Sequence, residues 1–141
     1  LYEGAPIRGR SAGAVESGPS VDVIRTRFGP IDLAIELHRV SSVLDYQEAQ
    51  GMPLIDPAPK LGMRPLGGGH VGYIEPERGA PVGVLIGEVQ AFSSWTPANL
   101  VRLPDWLAGF LPDVLEPVCG RDEISQLVWL LDLAKVLQHN G

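Results

Sequence analysis

Alternation of apolar and polar side chains is the feature that most constrains the fold of this 141-residue chain. Segment 31–37 (IDLAIEL) places an apolar residue at every second position, which is typical of a half-buried β-strand. Segment 21–28 repeats the pattern more loosely, with Ile24, Thr26 and Phe28 on one face. Gly29-Pro30 separates the two segments and favours a turn. The sequence therefore predicts a β-hairpin over 21–37.

Two more hairpins follow from the same pattern. The first runs over 70–92 with its turn at 77–79, and the second joins 114–120 to 124–131 through Gly120-Arg121-Asp122. Between them and the first hairpin, 54–55 reads as a short or edge strand because prolines flank it. The 17 glycines and 13 prolines are scattered, and no parallel strand–helix–strand pattern appears. We therefore expect small antiparallel barrels.

Helical spacing replaces alternation after the first hairpin. Leu37, Val40, Val43 and Leu44 recur at three and four residues, which predicts a short helix or helical turn. Further along, Thr96-Pro97 is a helix start signal, but segment 98–110 is broken by proline and glycine and predicts only short helical turns. The final segment, 133–141, predicts a helix capped by Asp132 and ending at Asn140-Gly141.

Residues 1–20 differ in composition from the remainder of the chain. They are rich in Gly, Ser, Ala and Pro and show little periodicity, so we expect an N-terminal tail or linker ahead of a folded domain over 21–141. The first residue is Leu1 rather than Met, from which we expect a trimmed or processed front.

Charge and cysteine content narrow the partners and the compartment. The net charge is −6, which disfavours nucleic acid and direct contact with anionic membranes. No apolar run is long enough to span a bilayer, and we see no signal-peptide pattern. The lone Cys119 has no internal disulfide partner, so we expect a cytoplasmic setting.

Residues that carry chemistry are sparse. His38, His70 and His139 lie far apart and have no Cys or acidic residue at metal-ligand spacing. The glycines at 67–69 precede His70, but no lysine or helix follows as a phosphate loop requires. Cys119 stands in an apolar strand and reads as a buried structural thiol. We expect no catalytic residues, metal or cofactor.

The tryptophans divide by their surroundings. Trp129 lies in LVWLL and is expected in the core, whereas Trp95 and Trp106 flank the broken helical stretch. Either of these two fits a core position or an interaction surface.

The second half of the chain resembles the CheW family. Leu130-Leu131-Asp132-Leu133 and Lys135-Val136-Leu137 match the ending "LLLDL" plus a helix, and VGVLIGEVQAFSSWTP resembles a strand "VGLLVD-V" that runs into a proline-started helix. The first half agrees more loosely, since FGPIDLAIELHRVSSVL resembles "LGGEEYAIPLERVREVL" and LIDPAPKLG resembles "VIDLRRLLG". In all, the resemblance spans about residues 21–138.

The resemblance implies a mostly β fold of two small SH3-like antiparallel barrels packed together with a few short helices. It also implies a cytoplasmic, non-enzymatic adaptor that couples the cytoplasmic tips of methyl-accepting chemoreceptors to the histidine kinase CheA. By position, the receptor groove would include Val40, Val43 and Leu44. The alternative is that these three residues only pack the predicted helix onto its barrel.

The middle of the first half departs from the family pattern. Only LDYQEAQGMP joins Val43 to Leu54, so the family's "NLRG" segment and its arginine are missing. Asp56 is followed by Pro57 where the family has Leu-Arg. We therefore expect an abbreviated first lobe with an exposed edge strand, which places kinase binding in question. Residues 1–20 or a second copy of the chain are candidates to cover that edge.

Two functions remain open at this point. One is a divergent adaptor that links receptors to the kinase or to other CheW-like domains. The other is an interaction domain with the same fold that belongs to a larger kinase or scaffold protein. An enzyme or ligand carrier would require a polar cluster inside a pocket, and the sequence shows none.

Overall fold

The computed structural model describes residues 19–122 and 126–140, and these form a mostly β fold. The predicted tail over 1–20 falls almost wholly outside the described residues. The nine strands form one sheet, eight of them in the order β3-β5-β6-β1-β2-β9-β8-β7 and the ninth, β4, paired to β6. Their bounds are Val21–Phe28 (β1), Ile31–Glu36 (β2), Ser42–Asp45 (β3), Leu54–Ile55 (β4), His70–Ile74 (β5), Val82–Trp95 (β6), Leu100–Arg102 (β7), Leu115–Arg121 (β8) and Leu127–Leu131 (β9).

The long strand β6 divides these pairings into two groups. Its first half pairs with β5 and β4, and these strands with β3 form what we name the first lobe. Its second half pairs with β1, which continues through β2, β9, β8 and β7 into the second lobe. Most pairings are antiparallel, as predicted. Two are parallel, β2 with β9 and β4 with β6.

The predicted hairpins form, with two adjustments. β1 pairs with β2 around Gly29, whose φ of 62° suits glycine. β5 pairs with β6, and β8 with β9. The third turn was predicted too early, because Gly120 and Arg121 extend β8 and Asp122 meets Gln126 through a backbone hydrogen bond of 3.0 Å. β2 is not half-buried: Leu33, Ala34 and Ile35 are all buried, because Leu33 and Ile35 pack into one hydrophobic cluster on one face of the sheet and Ala34 packs into another on the opposite face.

The predicted helix over 37–44 is wrong beyond its first turn. Leu37–Arg39 forms a single 3-10 turn, and the chain then enters β3, which pairs with β5. Val40 already has extended backbone angles. The amide of Ser41 donates to the carbonyl of Tyr73, which draws this segment into the first lobe. Pairing with β5 thus overrides the helical spacing.

The other helices are short, as predicted. Pro97–Asn99 is a 3-10 turn, and Asp105–Ala108 (α1) is one α-helical turn. The strand β7 between them was not predicted. Leu133–Asn140 forms α2, and the Asp132 carboxylate caps it by accepting from the Lys135 amide at 3.2 Å.

The main hydrophobic core crosses the boundary between the lobes. It joins buried side chains of the central hairpin to those of β5, β6 and α2, namely Phe28, Leu33, Ile35, Ala58, Ile74, Val84, Ile86, Val114, Leu131, Leu133 and Val136. A smaller cluster around Trp95 fills the second lobe, and one around Val71 and Leu85 lies in the first. The lobes are therefore fixed to each other by shared apolar packing.

Candidate partner-binding cleft

A cleft of about 510 Å³ lies where the two lobes meet. One wall is the end of β5 and the connection that follows it, and the other is formed by α2 and the 3-10 turn after β2. Apolar and charged side chains both line it: His38, Arg39, Ile74, Glu75, Pro76, Glu77, Leu133, Ala134 and Leu137. An apolar centre with a charged rim is the usual anatomy of a protein–protein interface.

The apolar floor of the cleft is held in place by the main core. Ile74 and Leu133 are buried members of that core, and Leu137 packs against it while remaining partly accessible. Ala134 is exposed on the same helix. Because α2 begins at a capped residue and buries Val136 completely, the position of these side chains is fixed before any partner arrives.

Charges on the rim are mixed in sign. Arg39 donates through Nε to Oε1 of Glu36 at 3.2 Å, an ion pair three residues apart along the 3-10 turn. Its side chain is 48% exposed, so the pair adds little stability and the guanidinium is accessible to a partner. Glu75 and Glu77 lie on the opposite wall. The cleft can thus offer ion pairs of either sign at its margins.

An unusual carboxyl group lies close to this rim. The pKa of Glu116 is raised from 4.5 to about 7, mainly by burial and in addition by the neighbouring charges of Glu36 and Asp132, while Arg39 acts to lower it. Glu116 is in β8, in the stretch where the register with β9 shifts. A bulge of this kind turns a side chain away from the regular alternation.

The residues predicted for the receptor groove do not share one environment. Val40 packs over Gly72, and both Val40 and Val43 lie against the main core. Leu44 packs against the separate cluster of the first lobe, because successive side chains of a strand point to opposite faces. All three are partly buried, and none lines the cleft. Their role in binding stays a prediction.

The cleft residues were missed because they come from three separate segments of the chain. His38 and Arg39 follow β2, residues 74–77 follow β5, and 133–137 lie in α2. No local pattern links these segments. Only the family-like ending around Asp132 gave a signal, since it placed a helix at the end of the chain.

The other residues that could carry chemistry, such as Cys119 and His70, lie in positions where they contribute to the structure. Cys119 is buried, as predicted, and burial raises the pKa of its thiol. His70 begins β5, and its Nδ1 accepts a hydrogen bond from the Val89 amide at 3.1 Å. The glycine run before it thus leads into a strand. Among the described residues, no group of three or more His, Cys, Asp or Glu is placed to hold a metal ion.

The three tryptophans differ in how far they are buried. Trp95 is 3% exposed and forms part of the second-lobe core, whereas Trp106 is 71% exposed on α1. Trp129 is partly buried against the main core. Of the two open cases, one is therefore core and the other surface.

The fold, in which two lobes share one long strand, is CheW-like. It is similar to the crystal structure of the scaffolding protein TtCheW from Thermoanaerobacter tengcongensis, with a TM-score of 0.62 and 11% sequence identity over 82% of this chain and 86% of that one. The sequence matches no protein-family model and no curated protein. Within the described part of the chain, no helix is long and apolar enough to cross a membrane.

Proposed function

We propose that this protein is a non-enzymatic adaptor of a chemosensory array, located in the cytoplasm. It couples the cytoplasmic tips of methyl-accepting chemoreceptors to a CheA-type histidine kinase or to other CheW-like domains. The observation that carries the proposal is the cleft between the lobes of a CheW-like fold, with its apolar floor and charged rim.

The shape and chemistry of the cleft favour a helical ligand. Ile74, Leu133 and Leu137 supply apolar contacts, and the apolar face of an amphipathic helix binds in grooves of this kind. Arg39 on one wall and Glu75 and Glu77 on the other provide charged partners for the polar flanks of such a helix. Charges at the rim mainly select the partner and its orientation.

The floor is well suited to binding without rearrangement. Ile74 is 6% exposed and Leu133 is 2% exposed, so both are held by the core on the side away from the cleft. A preformed site loses little side-chain entropy on binding, which favours affinity. Val40, Val43 and Leu44, which the family resemblance assigns to the groove, do not line this cleft, and their part in binding stays a prediction.

The proposal is tested by titrating the protein with two partners separately. One is a helical hairpin fragment from the cytoplasmic tip of a chemoreceptor, and the other is the regulatory domain of a CheA-type kinase. Saturable binding of the receptor fragment is the expected result, and binding of the kinase domain would extend the role to kinase coupling. Binding of neither would refute the adaptor function and leave the fold unaffected.

A further inference from the structure

A second, polar cleft lies in the second lobe, away from the residues of the cleft between the lobes. Its volume is about 210 Å³, and most of its lining residues can donate hydrogen bonds, with the Asp122 carboxylate as the exception; the lining comprises Arg25, Ser93, Ser94, Trp95, Asn99, Arg121 and Asp122. Two of these are guanidinium groups and one is a carboxylate, so the local charge is positive on a molecule whose net charge is −6.

Arg25 is the most unusual of these residues because its charge is largely buried. The side chain is 15% exposed, and its Nε is buried with no hydrogen-bond partner among the described residues. It shares a strand face with Val23, which belongs to the core of the second lobe. A β-bulge between Arg25 and Thr26 interrupts the pairing with β6 at this position. A buried polar group without a partner is costly, so its retention calls for an explanation.

Asp122 meets only part of the hydrogen-bonding capacity of the Arg25 guanidinium. The distance from Nη2 of Arg25 to Oδ2 of Asp122 is 3.9 Å, too long for a hydrogen bond. The other oxygen of the carboxylate accepts from the Gln126 amide at 2.8 Å and so shapes the turn between β8 and β9. Arg25 also lines the cleft, so its guanidinium can still donate to a ligand there.

The neighbouring residues add further donors. Arg121 is exposed and makes no ion pair with a described residue. Oδ1 of Asn99 already accepts from the amide and hydroxyl of Thr96, at 2.9 and 3.0 Å, which leaves the amide nitrogen of Asn99 for a ligand. Ser93 and Ser94 contribute hydroxyl groups from β6.

Close packing positions the strands that carry Arg25 and Arg121. Gly120 lies directly against the ring of Trp95, so that no side chain fits there. Arg121 follows immediately in β8, while Arg25 lies in β1, and Trp95 of β6 forms part of the cleft between them. The donors are thus placed by core packing rather than by mobile loops.

We propose that this second-lobe cleft binds a small oxyanion, a carboxylate or phosphate group, between Arg25 and Arg121. The planar guanidinium matches both groups in two-point hydrogen bonding. The cleft suits a single such group rather than a large molecule. Repulsion by the acidic molecule as a whole is weak here, since charges more than about 8 Å away are screened at physiological salt. The anion is either free in solution or carried by an acidic segment of a partner.

The test follows the protein by NMR while an anion is added at constant ionic strength. The Nε–H signal of Arg25 and the indole signal of Trp95 report on the cleft directly. Inorganic phosphate should shift both signals saturably, whereas an equal concentration of chloride should not. A hexaglutamate peptide serves as the second probe. Tighter binding of the peptide than of phosphate assigns the anion to an acidic segment, and weaker or equal binding assigns it to a free anion.

Matched variants separate specific binding from general electrostatics. Arg121→Gln removes one guanidinium from the cleft and should weaken binding about tenfold. Arg102→Gln removes the same charge from an exposed position of β7 outside the cleft and should change it less than about twofold. Saturable shifts with the parent, and about tenfold weaker binding only in Arg121→Gln, support the proposal. Absence of saturation with both probes, equal shifts with chloride, or equal effects of the two variants would overturn it.

Discussion

At the scale of single residues, Glu116 links stability to pH. Its side chain lies near Glu36 and Asp132, and the folded protein holds its pKa at about 7 against an ordinary value of 4.5. The folded state therefore binds the proton more tightly than the unfolded state. This stabilising contribution is complete below pH 4.5 and is lost as the pH rises through about 7, where the buried carboxyl ionises.

Glu116→Gln is expected to remove this dependence. Above neutral pH the variant should be more stable than the parent by about 1 kcal/mol, a value discounted because solvent screens a half-buried group. In acid, where the parent carboxyl is protonated, the two proteins should be nearly equal. Urea unfolding at several pH values measures the difference, and a constant difference across the range would contradict the assigned pKa.

Gly120 supports the second lobe because it has no side chain. Its backbone lies against the ring of Trp95, so Gly120→Ala should lower stability by about 1–3 kcal/mol because the methyl group displaces a buried ring. Gly68→Ala is the matched control, since no atom lies within 4 Å of the added methyl and the backbone does not need glycine there. Thermal unfolding compares the two variants. An equal effect of both would show that the contact with Trp95 is unimportant.

At the scale of elements, the sequence predicts those strands and turns whose formation depends on residues close together in the chain. The hairpins of β1 with β2, β5 with β6 and β8 with β9 were predictable, because alternation and turn residues lie within one short segment. The strand β3 was not. Val40, Val43 and Leu44 have helical spacing, and only pairing with the distant strand β5 makes their segment extended. Long-range pairing of this kind cannot be recognised from the local sequence.

The cleft between the lobes was unpredictable for a related reason. Its two walls come from segments nearly 60 positions apart, around residues 74–77 and 133–137, and meet only when the main core forms. The polar cleft of the second lobe is similar, because Arg25 and Arg121 lie on β1 and β8. Their spacing in the sequence gave no reason to consider them together.

The start of α2 gives a prediction at this scale. Asp132 caps the helix by accepting from the Lys135 amide, so Asp132→Ala should lower the free energy of unfolding by about 1 kcal/mol. Asp132→Asn keeps an oxygen acceptor without the charge and should lose half of that or less. Denaturant unfolding compares the two variants near pH 5.5, where Glu116 is still largely protonated in the folded protein and a free aspartate carboxyl is ionised. Equal losses would show that charge, rather than capping, is what matters.

At the scale of the whole molecule, the lobes share one core. Phe28, Val84 and Leu131, from β1, β6 and β9, are fully buried or nearly so in the same cluster. We therefore expect both lobes to unfold together, because neither keeps its packing without the other. Fluorescence of the tryptophans and far-ultraviolet circular dichroism should give coincident urea transitions. Two separate transitions would show that the lobes are independent.

The shared core also explains how a cleft with a rigid apolar floor forms between two lobes. Ala134 is exposed on the α2 wall of the cleft, so Ala134→Glu places a larger, charged side chain in the cleft without removing core packing. Gln138→Glu adds the same charge to an exposed position of the same helix outside the cleft. The two variants therefore differ in whether the cleft is obstructed.

The most direct test of the adaptor function is calorimetric titration of the parent and both variants with a chemoreceptor hairpin fragment. The parent and Gln138→Glu should bind with similar affinity, and Ala134→Glu should bind about tenfold more weakly or not at all, because a charge in an apolar interface is poorly tolerated. Absence of binding by the parent, or equal binding by Ala134→Glu, would contradict the proposal that this cleft receives the receptor.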